Sequence, residues 1–247
     1  MEREKKYIAS CSFGKDSLAT ILLALENNEP LDRVLYVEVM FDHERGISGE
    51  IPEHAEWIKE VAIPKLESMG LQVDVVRAEL DYVGLCRKVR IRGKNIGKAY
   101  GVQSRNPCYA NTLLKSKPIH DYYKQFKNES DIVQYVGIAI DEPKRLARLE
   151  GTNKVSLLDK YGYTEAMAME KCREYNLVSP CYSSDYRGGC WFCPNANISR
   201  YCHIRKNYPE YWSLLNKLYY ETDSKVFKYN KTLEDIEKLM DNKDKIL

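Results

Sequence analysis

The chain has 247 residues, of which 44% are hydrophobic, which suits one large globular domain or one domain with a small appendage. Its formal net charge of +2 excludes binding to polyanions by bulk charge alone. No apolar run approaches the roughly 18 residues that a membrane span needs, and the charged N-terminus Met-Glu-Arg-Glu-Lys-Lys is no signal peptide, so we predict a cytoplasmic protein.

The first predicted elements are a short strand at Tyr7–Ala9, a tight loop and a helix whose apolar residues recur at helical spacing. The loop, Ser10–Ser17, reads Ser-Cys-Ser-Phe-Gly-Lys-Asp-Ser. A helix N-terminus offers unpaired N–H groups and the positive end of a dipole, which suit a phosphate group. An ordinary turn capped by Ser17 is the alternative. The candidate nucleotide-binding residues here are Ser10, Ser12, Phe13, Gly14, Lys15, Asp16 and Ser17.

Two more strands, predicted at 34–40 and 72–78, flank a helix that runs from Pro52 to about Met69. Strands alternating with helices at this spacing predict a doubly wound, mostly parallel sheet. Ligands of such sheets lie beyond the carboxyl ends of the strands. Asp42, which follows the second strand, is therefore a candidate contact to a nucleotide or its metal ion, with a solvated loop acid as the alternative.

The stretch from Tyr82 to His120 is strongly basic and contains no acidic residue. One-sided charge of this density attracts polyanions, such as the phosphates of a nucleotide, a phosphosulfate or a nucleic acid. A solvated basic loop is the alternative. The nine cations are Arg87, Lys88, Arg90, Arg92, Lys94, Lys98, Arg105, Lys115 and Lys117.

A further strand, predicted at 131–138, leads to Asp141, Glu142 and Arg145. The two acids are candidate Mg²⁺ ligands, and the guanidinium group can bind phosphate or sulfate with two hydrogen bonds. The alternative is that the acids only favour the N-terminus of the following helix.

The second half of the chain holds four cysteines in the pattern Cys-x8-Cys-x2-Cys-x8-Cys, at Cys181, Cys190, Cys193 and Cys202. Eight cysteines in a cytoplasmic chain favour metal ligation or catalysis over disulfides. Four thiolates suit structural Zn²⁺ or a [4Fe–4S] cluster. A reactive dithiol and reduced core cysteines are alternatives, and Cys172 or His203 could replace one ligand. Helices are predicted at 164–175 and in a C-terminal cap.

Three segments together resemble a known family. Ser-Phe-Gly-Lys-Asp-Ser resembles the pyrophosphate loop Ser-Gly-Gly-x-Asp-Ser of the ATP pyrophosphatases, the adenine-nucleotide alpha-hydrolase superfamily that includes the phosphoadenosine-phosphosulfate (PAPS) reductase family. The segment at Asp141–Arg145 is similar to Gly-Ile-Arg-x-Asp-Glu-x-x-Arg of that family, with Ala139 in place of Arg. Gly-Cys-Trp-Phe-Cys resembles the cysteine site of the PAPS-reductase-like sulfurtransferases of DNA phosphorothioate modification. Phe13 replaces a glycine, and it fits only if the loop needs no positive φ there.

The resemblance implies a Rossmann-like α/β fold with a five-stranded sheet, a cysteine-ligated metal module and C-terminal helices. It implies a nucleotide-binding domain over 1–160 and, packed on it over 161–247, a domain with the metal site and the helical cap. The implied activity is ATP-dependent adenylyl transfer, releasing AMP and pyrophosphate and activating an acceptor for sulfur transfer. The implied cofactors are ATP, Mg²⁺ and the cysteine-ligated metal, and the candidate partners are a sulfur-donor protein and a nucleic acid. The implied catalytic residues are Lys15, Asp16, Asp141 and Arg145.

Two other functions stay open. A PAPS or adenylyl-sulfate reductase is disfavoured, because the chain has neither Glu-Cys-Gly-Leu-His nor an adjacent Cys-Cys pair. A nucleotide- or nucleic-acid-binding module with structural zinc is favoured only by the basic stretch.

Overall fold

The computed structural model describes residues 3–102, 108–126, 129–183 and 188–244. The chain divides into two compact units, each drawn from three segments. The first unit comprises Met1–Val37, Glu53–Val76 and Pro118–Pro180, and the second comprises Glu38–Pro52, Arg77–Lys117 and Cys181–Leu247. The predicted division at residue 160 therefore lies inside the first unit. In the part of the chain that is described, no helix is both long enough and apolar enough to cross a membrane.

The described ranges contain seven strands: β1 (Glu4–Cys11), β2 (Arg33–Glu38), β3 (Met40–Asp42), β4 (Ile47–Ser48), β5 (Val73–Arg77), β6 (Ser130–Tyr135) and β7 (Lys154–Val155). Five of them form a parallel sheet in the order β5-β2-β1-β6-β7, which confirms the predicted α/β class. In the register, Ala9 of β1 lies opposite Val34 on one side and Tyr135 on the other.

Eleven α-helices lie in the described residues: α1 (Lys15–Glu26), α2 (Pro52–Trp57), α3 (Ile63–Ser68), α4 (Tyr82–Arg87), α5 (Lys117–Lys124), α6 (Pro143–Leu146), α7 (Leu157–Lys160), α8 (Glu165–Glu174), α9 (Ile198–Asn207), α10 (Pro209–Glu221) and α11 (Leu233–Asp244). A π-helical segment, Ile58–Ala62, joins α2 to α3, and another, Asn111–Ser116, leads into α5. A 3₁₀ turn spans Pro180–Ser183.

Helices cover both faces of the sheet in the first unit, because its central strands carry apolar side chains on both sides. On one face, Ala9 and Tyr36 join a core that includes α1, α7 and α8. On the other face, Ile8 and Leu35 pack with aromatic residues of α5. Alternate residues along β1 and β2 thus point to opposite cores, as the two-residue period of a strand requires.

The second unit has a core rich in aromatic side chains. Phe41 of β3 packs against Trp191 and Phe192, with ring centroids 4.5 and 5.3 Å away. Helices α4, α9, α10 and α11 contribute many of the other apolar residues of this core. The helices predicted near the C-terminus are confirmed as α10 and α11.

Candidate functional site

The predicted phosphate loop lies at the carboxyl end of β1, the central strand of the sheet. From β1 the chain goes first to β2 on one side and later to β6 on the other. Ligands of open α/β sheets bind where the strand order reverses in this way. The loop therefore occupies the position at which such a sheet binds its ligand.

Phe13 adopts the left-handed backbone conformation, with φ of 55°. The expectation that phenylalanine fits only where the loop needs no positive φ is therefore wrong. The side chain is fully buried, and its ring packs edge-on against Tyr36 with centroids 5.0 Å apart. Burying such a ring contributes about 1.5–3 kcal/mol, which offsets the roughly 1–2 kcal/mol that this conformation costs a residue with a Cβ.

Hydrogen bonds inside the loop fix the start of α1. The N–H of Ser12 donates to the hydroxyl of Ser17 at 3.2 Å, and that hydroxyl donates to the carbonyl oxygen of Gly14 at 2.9 Å. The first helical bond runs from the N–H of Leu18 to the same carbonyl. The N–H groups of the first turn consequently have no acceptor within the helix. Gly14 has φ of −79°, which any residue can adopt. Gly14 is the N-cap residue of α1, and no side chain caps the helix by a hydrogen bond at this position.

Lys15 is held between two carboxylates. Its Nζ donates to Asp16 at 2.8 and 2.9 Å and to Glu165, the first residue of α8, at 2.8 Å. Burial lowers the pKa of Lys15, but the hydrogen bonds to these two acids outweigh it, and the net shift is upward. Burial raises the pKa of Asp16, and the nearby charges of Glu165 and Glu142 raise it further against the opposing effect of Lys15. The cluster thus holds one ammonium group between two carboxylates, in a partly buried position at the start of α1.

The acids after β6 lie at the edge of this cluster. The carboxylate of Asp141 accepts from the backbone N–H of Glu165 at 3.2 Å and so helps to position that residue. Glu142 forms an ion pair with Arg145, at 2.5 and 2.7 Å. Three of the predicted residues, Lys15, Asp16 and Asp141, are therefore connected directly or through Glu165. Glu142 acts on Asp16 through its charge and pairs with Arg145.

Two residues that the sequence did not single out shape the same cluster. A Cβ added to Gly137 would lie 2.6 Å from the backbone of Asp16 and Ser17, so only glycine allows this approach to α1. Glu165 supplies the second carboxylate to Lys15 from 150 residues away. Cys172, considered above as a metal ligand, instead donates its thiol to the carbonyl of Lys15 at 3.3 Å.

Ser10 and Asp42 have other surroundings. The hydroxyl of Ser10 accepts from Gln134 at 2.6 Å and lies 3.2 Å from the hydroxyl of Tyr123, in a network on the face that α5 covers. Asp42 belongs to the second unit, where its carboxylate accepts from the N–H of Arg45 at 3.1 Å. It ends the short antiparallel strand β3, not the parallel strand predicted over 34–40, because β2 ends at Glu38.

The cysteines of the second unit form a separate feature. Cys190 and Cys193 line a cavity of about 50 Å³ together with Cys86 and Cys108, and the rings of Tyr82 and Phe192 line it too. These two rings stack with centroids 3.9 Å apart. The N–H of Cys193 donates to the carbonyl of Cys190 at 3.1 Å, as expected of a knuckle turn.

The predicted four-thiolate set is not assembled as the spacing suggested. Cys181 and Cys202 do not line this cavity, and the described residues contain no group of three or more His, Cys, Asp or Glu side chains placed to bind a metal ion. His203 contacts Asn207 instead. Burial raises the pKa of Cys190 and Cys193, and it raises that of Cys86 to about 12, so these thiols are protonated at neutral pH. The metal site stays a prediction.

Arg105, one of the nine cations of the basic stretch, lies outside the described residues, and so does Arg187, which the sequence places next to the cysteine knuckle.

Comparison with known proteins identifies few relatives. No family model matches the chain. The chain is similar to an uncharacterized protein, MJ0066, of Methanocaldococcus jannaschii, with 23% identity over an alignment of 221 positions, and the match covers 85% of this chain. The match covers 40% of that protein, so the chain spans about two fifths of its length. No solved structure matches.

Proposed function

We propose that the chain is an ATP-dependent adenylyl-transfer enzyme that releases pyrophosphate. One observation carries the proposal: the first-turn N–H groups of α1 and the Nζ of Lys15 share the loop at the carboxyl end of the central strand. Backbone donors at a helix N-terminus, joined by a lysine, suit the phosphates of a nucleotide. A Rossmann-like fold of the adenine-nucleotide alpha-hydrolase type is part of this proposal.

In the proposed reaction, an oxygen of the acceptor attacks the α-phosphorus of ATP, which enters with Mg²⁺ as substrate. The bond from the α-phosphorus to the bridging oxygen breaks, and its electron pair leaves with pyrophosphate. The loop amides and Lys15 stabilise the negative charge that develops on the leaving group. Phosphate oxygens replace Asp16 and Glu165 as acceptors of the hydrogen bonds from Lys15. The two carboxylates thereby lose Lys15 as a partner and can interact with the Mg²⁺ that accompanies the nucleotide.

Arg145 has a second part in the proposal. Its side chain is half-exposed, and its pairing with Glu142 keeps the guanidinium group beside the cluster. An exposed ion pair of this kind is worth little to stability. The guanidinium group is therefore available to bind a phosphate oxygen with two hydrogen bonds.

In an extension of the proposal, a sulfide or thiolate sulfur attacks the adenylylated acceptor, and the acceptor oxygen leaves with AMP, which gives a thiolated product. The thiols of Cys86, Cys108, Cys190 and Cys193 line one cavity and motivate this extension, although the described residues are not placed to bind a metal ion as they stand. Thiolates bind soft metals and sulfur, but here the raised pKa values mean that binding must release protons. Anaerobic purification followed by metal and sulfide analysis tests the extension. Iron with acid-labile sulfide favours sulfur transfer, whereas one zinc per chain and no sulfide contradicts it.

The activity itself is tested by measuring pyrophosphate release from ATP in the presence of Mg²⁺. Lys15→Gln removes the charge that faces the leaving group, so we expect the rate to fall by about 10²–10³-fold. Lys59→Gln is the matched control, because Lys59 is exposed and, in the part of the chain that is described, pairs only with its neighbour Glu60. An Asp16→Ala protein that releases pyrophosphate as fast as the unchanged protein would rule the proposal out.

A further inference from the structure

The basic stretch contains a hairpin that the adenylyl-transfer proposal does not use. This basic hairpin, residues 87–100, follows α4 in the second unit. The N–H of Tyr100 donates to the carbonyl of Lys88 at 2.9 Å, and the N–H of Arg90 donates to that of Lys98 at 3.0 Å. Val89 and Ala99 pair as an antiparallel bridge between these bonds. The paired backbone gives the segment a defined shape, with residues 91–96 at its tip.

The cations of the basic hairpin are mostly unneutralised. Arg87 forms a bidentate ion pair with Glu221. Four other cations of the hairpin have no carboxylate partner among the described residues, and the hairpin itself contains no acid. These four are Lys88, Arg92, Lys94 and Lys98. Like charges held this close repel one another, so the arrangement favours a polyanionic partner.

The tip adds apolar surface to this charge. Ile91 is 79% exposed and Ile96 is 65% exposed, among the most exposed apolar side chains that are described. Asn95, between Lys94 and Ile96, offers an amide that can donate and accept hydrogen bonds. Exposed aliphatic groups beside cations can make van der Waals contact with unpaired bases while the phosphates contact the cations.

A groove beside the basic hairpin offers a place for a base. It has a volume of about 550 Å³ and lies between the hairpin and residues 221–226, which include Ser224 and Lys225. The guanidinium group of Arg90 lies 4.7 Å from the centre of the Tyr100 ring, and both residues line the groove. The Nε of Arg90 is buried and has no hydrogen-bond partner among the described residues. Glu221 and Asp223, the two acids of the groove, are neutralised by Arg87 and Lys225.

We propose that the basic hairpin binds single-stranded nucleic acid, with phosphates on its cations and a base in the groove beside it. A membrane surface is the less favoured partner, because the tip carries only two isoleucines and no aromatic residue, whereas its amide and the polar groove suit bases. The inference does not depend on ATP cleavage. Binding without pyrophosphate release would leave it standing and remove only the proposed function.

The experiment measures binding of fluorescent 20-nucleotide oligouridylate RNA, oligothymidylate DNA and a duplex of equal length to the full chain, without ATP, at several salt concentrations. We expect either single strand to bind more tightly than the duplex. We expect affinity to fall steeply with salt, because each neutralised phosphate contributes about −0.7 to the slope of log K against log salt.

A triple glutamine variant of the basic hairpin should make that slope less steep by about 2, the sum expected for three lost phosphate contacts. A triple variant with the same charge change elsewhere should leave the slope unchanged. The test variant carries Arg92→Gln, Lys94→Gln and Lys98→Gln, and the control carries Lys59→Gln, Lys154→Gln and Lys206→Gln. Thermal unfolding of both variants separates lost binding from lost folding.

A second variant tests the apolar tip. Ile91→Ser with Ile96→Ser should weaken single-strand binding several-fold and leave the salt slope unchanged, because no cation is removed. The inference is overturned if neither strand binds, if the duplex binds as tightly as the strands, or if the hairpin triple variant keeps the full slope. If the chain binds anionic phosphatidylserine vesicles but no oligonucleotide, and if either hairpin variant loses the vesicle binding, the surface is assigned to membranes instead.

Discussion

Phe13 shows how one side chain can replace glycine at a position that needs a positive φ. Its backbone φ is 55° while its ring is fully buried against Tyr36. The usual preference of strained positions for glycine and the preference of cores for large rings therefore act in opposite directions at this residue. The balance between them can be measured because two small substitutions separate the two effects.

Phe13→Ala should destabilise the fold by about 3–5 kcal/mol, because it removes a buried ring and leaves a cavity. Phe13→Gly loses the same ring but relieves the left-handed strain, so it should be more stable than the alanine variant by about 1 kcal/mol. Urea unfolding gives both free energies. An alanine variant at least as stable as the glycine variant would contradict the backbone assignment.

Asp16 is predicted to make stability depend on pH. Its pKa is raised in the folded state, chiefly by burial, so folding favours the protonated form. Its contribution to stability is then full below its ordinary pKa of about 3.9 and is lost as the pH rises through the raised value. Asp16→Asn should accordingly gain stability over the unchanged chain as the pH rises from about 4, although it loses activity. Thermal unfolding between pH 4 and pH 8 checks this, and a gain confined to acid pH would refute it.

At the scale of elements, Gly137 limits how closely the loop after β6 can approach the first turn of α1. Gly137→Ala places a methyl group 2.6 Å from the backbone of Asp16 and Ser17, where no flexible side chain can yield. We expect a loss of about 1–3 kcal/mol in the free energy of unfolding, and slower pyrophosphate release as α1 shifts.

Gly188→Ala serves as the control for stability, since a Cβ there meets no atom of the described residues within 4 Å. Equal stability of the two variants in urea would show that the loop after β6 can move away from α1 at no cost.

Elements with strong local patterns could be predicted from the sequence, and elements set by distant packing could not. The strand, loop and helix around Lys15 follow from an apolar run, a glycine and helical periodicity, and Thr164 caps α8 as predicted, accepting from the N–H of Met167. Strand β7 has two residues, too few for any periodicity.

The candidate site divides in the same way. Lys15 and Asp16 are marked by their position in the loop, whereas Glu165 reaches them only because α8 packs on α1, which no local pattern reveals. Likewise Cys86 and Cys108 join the knuckle cysteines through the fold of the second unit, not through their spacing.

At the scale of the whole molecule, the two units exchange the chain several times, so neither is a continuous segment. A fragment of residues 1–160 would lack α8. The loss of the buried side chains of Ala168, Cys172 and Leu177 would leave the core around α1 exposed to solvent. We expect this fragment to show no cooperative thermal transition and no near-ultraviolet circular dichroism of fixed aromatic rings. Cooperative unfolding of the fragment, as sharp as that of the full chain, would contradict the division into units.

The same interleaving has a consequence for synthesis on the ribosome. The first core is complete once residue 180 has emerged, but the second still awaits Trp191 and Phe192, which pack on Phe41 from the start of the chain. At about 5–20 residues per second, translation of the intervening sequence leaves Phe41 and Tyr82 without those partners for on the order of ten seconds. Nascent chains of this length would therefore present an aromatic surface to chaperones, and rare codons shortly before Trp191 would prolong that exposure.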